Sequence, residues 1–313
     1  MLHVSAADLV IGAAAGKGDK HHYIPVFYSK GWTGQDGRLC EYSRPYKIVK
    51  AKHVHPGGTG YVRGLYTVPR NDPSVAEYIE RQFFRITDNS AAVVLAELRS
   101  GTEIVWNVDN RSAWSRFILS LMMRNPEYIA RMGAEVVGFF DPSSTLLNES
   151  YRKVRRPEDL ETYAEYIAKT EHPAGRTSAI AMQRIIDSPN MGGHLNRMNW
   201  NVVTFSQAKH SLLTSDRPII MTNGLGHGDS HLAIPIGPFK LFVATNNEET
   251  TARLRNMPPA LLMRQTNERV ALQARRFVYG IDDTQSRFVE NRLGKQLPST
   301  PLEIARPLYG APP

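Results

Sequence analysis

The clearest periodic pattern of apolar residues lies near the middle of the chain. Five apolar residues recur there at intervals of three and four, which is the spacing of one buried helix face: Trp114, Phe117, Ile118, Leu121 and Met122. Pro126 follows two residues after Arg124. Since proline lacks a backbone N–H, it is expected to end or bend the helix. The pattern predicts a buried helix that ends near Arg124.

An earlier stretch has a second helical pattern. Ser74 and Glu77 have the spacing of a capping box, and Gly101 stands where a helix can end. The expected apolar face is traced by four residues: Val75, Ile79, Phe83 and Ile86. Residues 87–90, Thr-Asp-Asn-Ser, offer competing local backbone bonds. One kinked helix and two consecutive helices both fit this pattern.

Short apolar runs separated by Gly, Pro and Asp predict strands at both ends of the chain. The first group, within residues 22–68, predicts a small β-meander. Two further helices are predicted between the groups, at 157–170 and 177–188. The later strand-like runs are 200–206, 211–222 and 232–245, followed by a helical region at 248–275 and a last strand in 274–281.

This order of elements favours an α+β fold over a doubly wound sheet. It has an N-terminal β segment, a central helical block and a C-terminal antiparallel sheet. The expected domain organisation is a flexible leader at 1–19, a single domain at 20–285 and a C-terminal extension at 286–313.

Composition narrows the class of protein. Hydrophobic residues make up 42% of the 313 and charged residues 22%, which is typical of a folded globular chain. The only cysteine, Cys40, excludes an intramolecular disulfide and a Cys-rich zinc site, and indicates a reducing compartment. Since no apolar run approaches the roughly 18 residues that span a bilayer, we expect a cytoplasmic protein without membrane contact.

The formal net charge of +8 favours anionic partners. We therefore expect nucleic acid or a phosphorylated small molecule as a partner, and the sequence leaves the oligomeric state open. The basic residues form short groups at 152–159 and 273–277 and make no long tail.

Two short segments carry candidate chemistry. Asp216 follows an apolar strand, and Arg217 precedes Pro218, which favours an extended backbone at Arg217. Ser-Asp-x-Pro is also ordinary turn chemistry, in which the aspartate bonds its own backbone. His53 and His55 share a strand face and can either ligate one metal or stand solvated, of which we favour the second.

Several motifs occur in an order that resembles the largely bacterial DUF4238 family, a domain of unknown function. They are Lys-His-His-Tyr-Ile-Pro at 20–25, Gly-Leu-Tyr-Thr-Val-Pro at 64–69, residues 117–126 and Leu-Leu-Thr-Ser-Asp-Arg-Pro-Ile at 212–219. The resemblance covers roughly residues 20–285, and it implies no settled activity. It picks out twelve positions: His21, His22, Tyr23, Pro25, Tyr28, Glu80, Arg124, Pro126, Ser215, Asp216, Pro218 and Asn267. This chain departs from the family pattern at Ser29, Asp88 and Arg217.

These positions support a hypothesis of a convergent polar site. The candidate catalytic residues are His21, His22, Glu80, Arg124 and Asp216. The candidate substrate-binding residues are Tyr23, Tyr28, Ser215, Arg217 and Asn267. A divalent metal, if one is bound, is expected on His22, Glu80 and Asp216. The predicted function is hydrolysis of a phosphodiester or nucleotide, in a nuclease-like enzyme that acts as a toxin or defence effector.

Other interpretations stay open at this stage. Without a metal, His22 can serve as general base and Arg124 as a clamp on an anion. Glu80 and Asp216 can instead form a carboxylate pair acting on a sugar. Alternatively, the chain is a non-catalytic module that binds nucleic acid or protein, and Arg124 forms a buried ion pair with Glu80 or Asp216. Helical counting places Glu80 beside the buried stripe and Asp88 mostly in solvent.

Overall fold

A computed structural model describes residues 19–65, 83–138, 143–169, 173–206 and 208–295. The capping box at Ser74 and the candidate Glu80 lie outside these ranges, as do nearly all of the leader and most of the C-terminal extension. The chain divides into two compact units. The first contains residues 1–21, 62–85 and 126–185, and the second contains the remainder. The domain bounds expected at residues 20 and 285 stay predictions.

Along the described residues, a strand-rich block is followed by a helical block and then by a second block that contains strands. The strands are β1 (Lys20–His22), β2 (Leu39–Ser43), β3 (Lys50–Val54), β4 (Tyr61–Arg63), β5 (Asn199–Thr204), β6 (Thr214–Ser215), β7 (Ile220–Met221), β8 (His231–Gly237), β9 (Lys240–Thr245) and β10 (Phe277–Gly280). The helices are α1 (Val26–Ser29), α2 (Arg85–Ser100), α3 (Val108–Met123), α4 (Pro126–Gly138), α5 (Thr145–Val154), α6 (Tyr163–Lys169), α7 (Pro173–Ile186), α8 (Pro189–Arg197), α9 (Glu248–Arg255), α10 (Pro259–Gln273) and α11 (Ser286–Glu290). The order confirms the predicted α+β class.

The smaller unit consists mainly of the helices α4 to α7. The helix predicted at 157–170 is wrong in its first half, since α6 begins only at Tyr163. The physical reason is a capping box: the Thr162 hydroxyl accepts from the Glu165 backbone N–H at 3.2 Å, and the Glu165 carboxylate accepts from Thr162 N–H at 3.1 Å. Before it, the Asp159 carboxylate accepts from the Arg156 N–H and holds a turn.

The larger unit contains two antiparallel four-stranded sheets, with strand orders β3-β2-β10-β6 and β5-β9-β8-β7. The N-terminal hairpin of β2 and β3 therefore continues into C-terminal strands, whereas β4 pairs with β1. The predicted small β-meander within residues 22–68 is wrong, because β4 does not pair with β3. A continuous hydrophobic core contains side chains from both sheets and from α9 and α10. Because β10 joins the first sheet, residues 240 positions apart in sequence are brought into contact, as in the hydrogen bond from the Tyr42 hydroxyl to the Asp282 carbonyl.

Helix α3 confirms the strongest sequence prediction. All five residues of the predicted stripe are buried. The ring of Trp114 lies 5.6 Å from that of Phe242 in β9, so the helix packs on the second sheet. The helix ends at Met123 and α4 begins at Pro126, as the proline predicted. Among the described residues, no helix has both the length and the apolarity needed to cross a membrane.

Helix α2 differs from its prediction in two ways. It runs without interruption through residues 87–90, so the predicted break is wrong. Ile86, expected on the apolar face, is 60% exposed. Phe83 and Phe84 form a π-helical turn just before α2, and such a turn shifts the following residues around the helix axis. The buried face is Thr87, Ala91, Val94, Leu95 and Leu98.

Candidate functional site

Asp216 lies just after β6. Its side chain accepts hydrogen bonds from the backbone at the start of β10, which is the neighbour of β6 in the sheet. Its carboxylate accepts hydrogen bonds from the backbone N–H groups of Arg275, Arg276 and Phe277 at 2.9, 2.6 and 3.2 Å. Its own N–H donates to the Phe277 carbonyl. Burial raises the pKa of Asp216 to about 6, and the three backbone hydrogen bonds oppose the rise. The side chain therefore fixes the start of β10.

The neighbours of Asp216 are held in a tight turn. The Ser215 hydroxyl accepts from the Arg217 N–H at 3.1 Å. The Gln273 side-chain amide donates to the carbonyls of Arg217 and Ile219. Only the Ser215 bond is local turn chemistry. The expectation that Asp216 bonds its own backbone is wrong, because its carboxylate is taken up by residues 275–277. Substrate contact by Ser215, which is fully buried, and by Arg217, which is half-buried, stays a prediction.

Arg124 is 1% exposed and pairs with Asp88. Its two terminal nitrogens donate to the two Asp88 oxygens at 3.1 and 2.7 Å, and one of them also donates to the Ser120 hydroxyl at 2.6 Å. The sequence interpretation placed Asp88 in solvent and gave Arg124 an ion pair with Glu80 or Asp216. In the structure Arg124 pairs with Asp88, whose side chain is 23% exposed, and the expected pair with Asp216 does not form, since the Asp216 carboxylate accepts from the backbone of residues 275–277. Glu80 lies outside the described residues, so a pair between Arg124 and Glu80 stays a prediction.

Two more of the candidate substrate-binding residues are buried within the framework. The Tyr28 hydroxyl donates to the Pro235 carbonyl at 2.6 Å and lies 2.7 Å from the Thr214 hydroxyl. Asn267 accepts from the Leu213 N–H at 2.8 Å and donates to the Ser211 carbonyl at 2.9 Å. Tyr28 therefore links β6 to β8, and Asn267 holds the segment just before β6. Burial raises the pKa of the Tyr28 phenol well above its usual range.

The two histidines of the opening motif differ in exposure. His21 is 6% exposed, whereas His22 is half-buried, with its ring 5.5 Å from that of Tyr61. Successive residues of a strand point to opposite faces, which accounts for the difference. Tyr23, the next residue, is 3% exposed.

Tyr279, Thr59 and Glu41 form a buried polar cluster. Residues of the His-His-Tyr and Ser-Asp-x-Pro motifs affect the pKa of its tyrosine. The Tyr279 hydroxyl donates to the Thr59 hydroxyl at 3.0 Å, and Thr59 in turn donates to the Glu41 carboxylate. Burial raises the pKa of Tyr279, and the nearby groups of Tyr23, Asp216 and Glu41 raise it further, against the Thr59 hydrogen bond. Tyr23 belongs to the opening motif and Asp216 to the Ser-Asp-x-Pro turn. Both motifs thus act electrostatically on one buried phenol.

Sequence reasoning missed Glu41, Thr59 and Tyr279. Glu41 is 2% exposed, and its other oxygen lies 3.0 Å from Lys52 Nζ, in the facing position of β3. One signal was available, because Glu41 is the only charged residue in the run Leu-Cys-Glu-Tyr of β2. Acidic residues are rarely buried unless they are paired.

The expected metal site is not assembled from described residues. Within the part of the chain that the structure describes, no three His, Cys, Asp or Glu side chains are grouped closely enough to hold a metal ion. Glu80 lies outside the described residues, so the trio of His22, Glu80 and Asp216 stays a prediction.

A histidine in β8 lies beside two arginines. The Thr222 hydroxyl accepts from the His231 backbone N–H and lies 3.0 Å from the His231 Nδ1. Burial lowers the pKa of His231, and the charges of Arg253 in α9 and Arg269 in α10 lower it further. Both arginines are exposed. The charges of Arg253 and Arg269 therefore act on His231 in the same direction as its burial.

This positive region continues along the last turns of α10. Arg269 lies one helical turn before Gln273, which bonds to the backbone of Arg217. Arg275 and Arg276 are exposed. Their backbone N–H groups donate to the carboxylate of Asp216, the residue before Arg217. We call this region the arginine surface and define it by Arg217, Arg253, Arg269, Arg275, Arg276 and His231.

The model of a family described as protein of unknown function (DUF4238) matches residues 20–284. No curated protein and no solved structure matches the chain. Because the family model covers most of the sequence, including both the His-His-Tyr and the Ser-Asp-x-Pro segments, the chain belongs to the DUF4238 family.

Proposed function

We propose that this chain binds nucleic acid through the arginine surface, and that its two signature motifs brace the fold. The proposal rests on the contrast between charged side chains that are bonded within the fold and arginines that are not. Asp216 and Arg124 are buried and bonded within the framework. By contrast, the guanidinium groups of Arg253, Arg269 and Arg276 have no hydrogen bond or salt bridge to any residue of the described ranges.

The chemistry of the surface fits a phosphate backbone. Residues 248–276 contain six arginines and three glutamates. One of these glutamates, Glu268, is already paired with Arg292. Exposed arginines bind phosphate groups bidentately and release condensed counterions, which gives affinity without sequence preference.

Replacing Arg253, Arg269 and Arg276 together with glutamine is expected to weaken nucleic-acid binding and to flatten its salt dependence. Each lost phosphate contact lowers the slope of log K against log salt by about 1. Fluorescence anisotropy with a labelled oligonucleotide at several salt concentrations measures both quantities.

The matched control is the triple variant Arg38→Gln, Arg184→Gln and Arg287→Gln. It removes the same charge from exposed positions outside the arginine surface. We expect it to bind with a salt slope close to that of the wild type. Equal losses in the two triple variants would show that binding depends only on net charge and would contradict the proposed surface.

A second candidate function is hydrolysis of a phosphodiester or nucleotide near His22. Two observations favour it: the pKa of Asp216 lies near neutrality, and Tyr23 and Asp216 both act on Tyr279. Groups whose pKa approaches neutral pH suit acid–base chemistry. In this proposal His22, the more exposed histidine, is the general base.

If the hydrolase proposal holds, wild-type protein cleaves DNA or RNA in the presence of Mg²⁺ or Mn²⁺, and His22→Ala lowers the rate at least about 100-fold. The matched control is His53→Ala, which removes an exposed histidine from β3. Gel assays with both metals and with EDTA measure the rates. Absence of cleavage by the wild type, or equal rates in the two variants, rules out His22 as the base.

A further inference from the structure

The loop that joins β2 to β3 carries a largely uncovered aromatic ring. Tyr46 is 82% exposed, which makes it the most exposed aromatic side chain in the described ranges. Ile48, two residues later, is 58% exposed. Since apolar side chains that stand singly on a surface are common, the surroundings of the ring decide what it can do.

Both sides of the loop are anchored to the fold. On the β2 side, the Arg44 guanidinium donates to the carbonyls of Glu290 and Leu293 at 2.6 and 3.2 Å. On the β3 side, Val49 packs against the hydrophobic core. The residues between them, 45–48, are exposed. Because both ends of this tip are fixed, it explores less space than a free loop, which lowers the entropic cost of binding a ligand.

The charge around the ring has one sign. Residues 42–58 contain four lysines or arginines and no aspartate or glutamate. Lys52 is used in its ion pair within the sheet, and Arg44 is bonded to carbonyls at the end of α11. Lys47 and Lys50 are exposed, and neither has a salt bridge to any residue that the structure describes. These two lysines are therefore available to an anionic ligand.

Strand pairing places this loop beside the arginine surface. Lys50 in β3, Ser43 in β2 and Phe277 in β10 occupy directly opposite positions, so their side chains lie on one face at one end of the sheet. None of the three is fully buried. The guanidinium of Arg276, the residue before Phe277, lies 5.7 Å from the centre of that ring. We call this region the hairpin patch and define it by Ser43, Tyr46, Lys47, Lys50, Arg276 and Phe277.

The combination of an uncovered ring and unpaired cations indicates the form of nucleic acid that fits the hairpin patch. Phosphate groups provide the negative charge, and the face of a base provides a surface for the ring. In a duplex the faces of the bases are occupied by the neighbouring base pairs. Unpaired bases of a single strand can instead be splayed out and stacked on aromatic side chains. A ring at the tip of a loop therefore suits a single strand better than a duplex.

We propose that the hairpin patch binds single-stranded nucleic acid, with one base stacked on the ring of Tyr46 and phosphates bound by Lys47 and Lys50. This inference rests on the proposed function in taking nucleic acid as the ligand, and it adds the preference for a single strand. Arg276 belongs to both regions, so the bound strand continues from the loop onto the arginine surface. Because an aromatic ring stacks on any base, we expect no strong sequence preference.

Fluorescence anisotropy with a labelled oligothymidylate of about 12 nucleotides, and with its duplex with the complementary strand, tests the proposal. Tyr46→Ala is expected to weaken single-strand binding about tenfold, because one base loses its stacking partner. The same substitution should leave duplex binding and the salt dependence unchanged, since it removes no charge. Tyr46→Phe keeps the ring and should bind both probes as the wild type does.

The cations and the neighbouring side chains are tested separately. The double variant Lys47→Gln, Lys50→Gln is expected to lower the slope of log K against log salt by about 0.7 for each lost phosphate contact on the single strand. Ile48→Ser changes the other exposed side chain of the tip. Phe239→Ala removes a ring that is 42% exposed between β8 and β9. Both of these controls should bind the single strand as the wild type does.

The outcomes separate this inference from the proposed function. If Tyr46→Ala binds the single strand as the wild type does, or loses as much affinity for the duplex, the hairpin patch is wrong and the arginine surface is judged by its own variants. If Tyr46→Ala weakens single-strand binding but the triple variant of Arg253, Arg269 and Arg276 behaves like its control, the arginine surface is wrong and the patch stands. Sedimentation of the wild type with phosphatidylserine vesicles, lost in Ile48→Ser and without binding of either oligonucleotide, would assign the loop to a membrane surface and overturn both proposals.

Discussion

Replacing Asp88 with alanine is expected to lower the free energy of unfolding by about 3–5 kcal/mol, because it removes a carboxylate that accepts two hydrogen bonds from a buried guanidinium. Arg124 is 1% exposed and has both terminal nitrogens directed at Asp88. Arg124→Met is expected to cost less, since Asp88 is 23% exposed and can be hydrated. Denaturant unfolding of the two single variants and the double variant measures the coupling.

We expect a coupling energy above about 1 kcal/mol between the two sites, as found for residues in one buried ion pair. Asn89→Ala, at an exposed position next along α2, is the matched control and should change stability by less than about 0.5 kcal/mol. Additive effects of the two single substitutions would mean that the pair does not stabilise the fold, and would reopen a functional interpretation of Arg124.

The second large effect is expected from replacing Asp216 with alanine. This substitution should lower the free energy of unfolding by about 3 kcal/mol. The substitution removes the acceptor of three backbone N–H groups at the start of β10 and leaves them unpaired. The comparison is Asp36→Ala, in which an exposed carboxylate accepts a single backbone hydrogen bond from Arg38. We expect that control to lose under about 1 kcal/mol. Equal losses would contradict the structural role of Asp216.

The pH dependence of stability tests the same residue independently. The pKa of Asp216 is raised from 3.8 to about 6 in the folded chain, so the folded state holds this proton more tightly than the unfolded state does. The resulting stabilisation is complete below pH 3.8 and is lost as the pH rises through 6. The variant Asp216→Asn has no titrating carboxyl group at this position. We therefore expect the stability of the wild type relative to Asp216→Asn to fall by roughly 3 kcal/mol between pH 4 and pH 7.

The candidate site divides into residues that sequence reasoning found and residues that it missed. The signature motifs were visible because His-His-Tyr-x-Pro and Ser-Asp-x-Pro are compact in sequence. The partners were not visible. Arg124 bonds to Asp88 across 36 positions, and Tyr279 reaches Thr59 across 220. No local pattern specifies such pairs, because they depend on which strands and helices become neighbours.

The sequence by itself determined the elements whose cause is local: the buried stripe of α3, the end of that helix before Pro126, and the α+β order of strands and helices. Periodicity and capping act over a few residues, so they can be recognised in a single sequence. Only the tertiary structure decided that β10 joins the N-terminal hairpin and that Asp216 fixes its first residues. It also decided that Asp88 pairs with Arg124. These features depend on long-range packing, where burial and hydrogen-bond satisfaction select among contacts that a local pattern leaves equivalent.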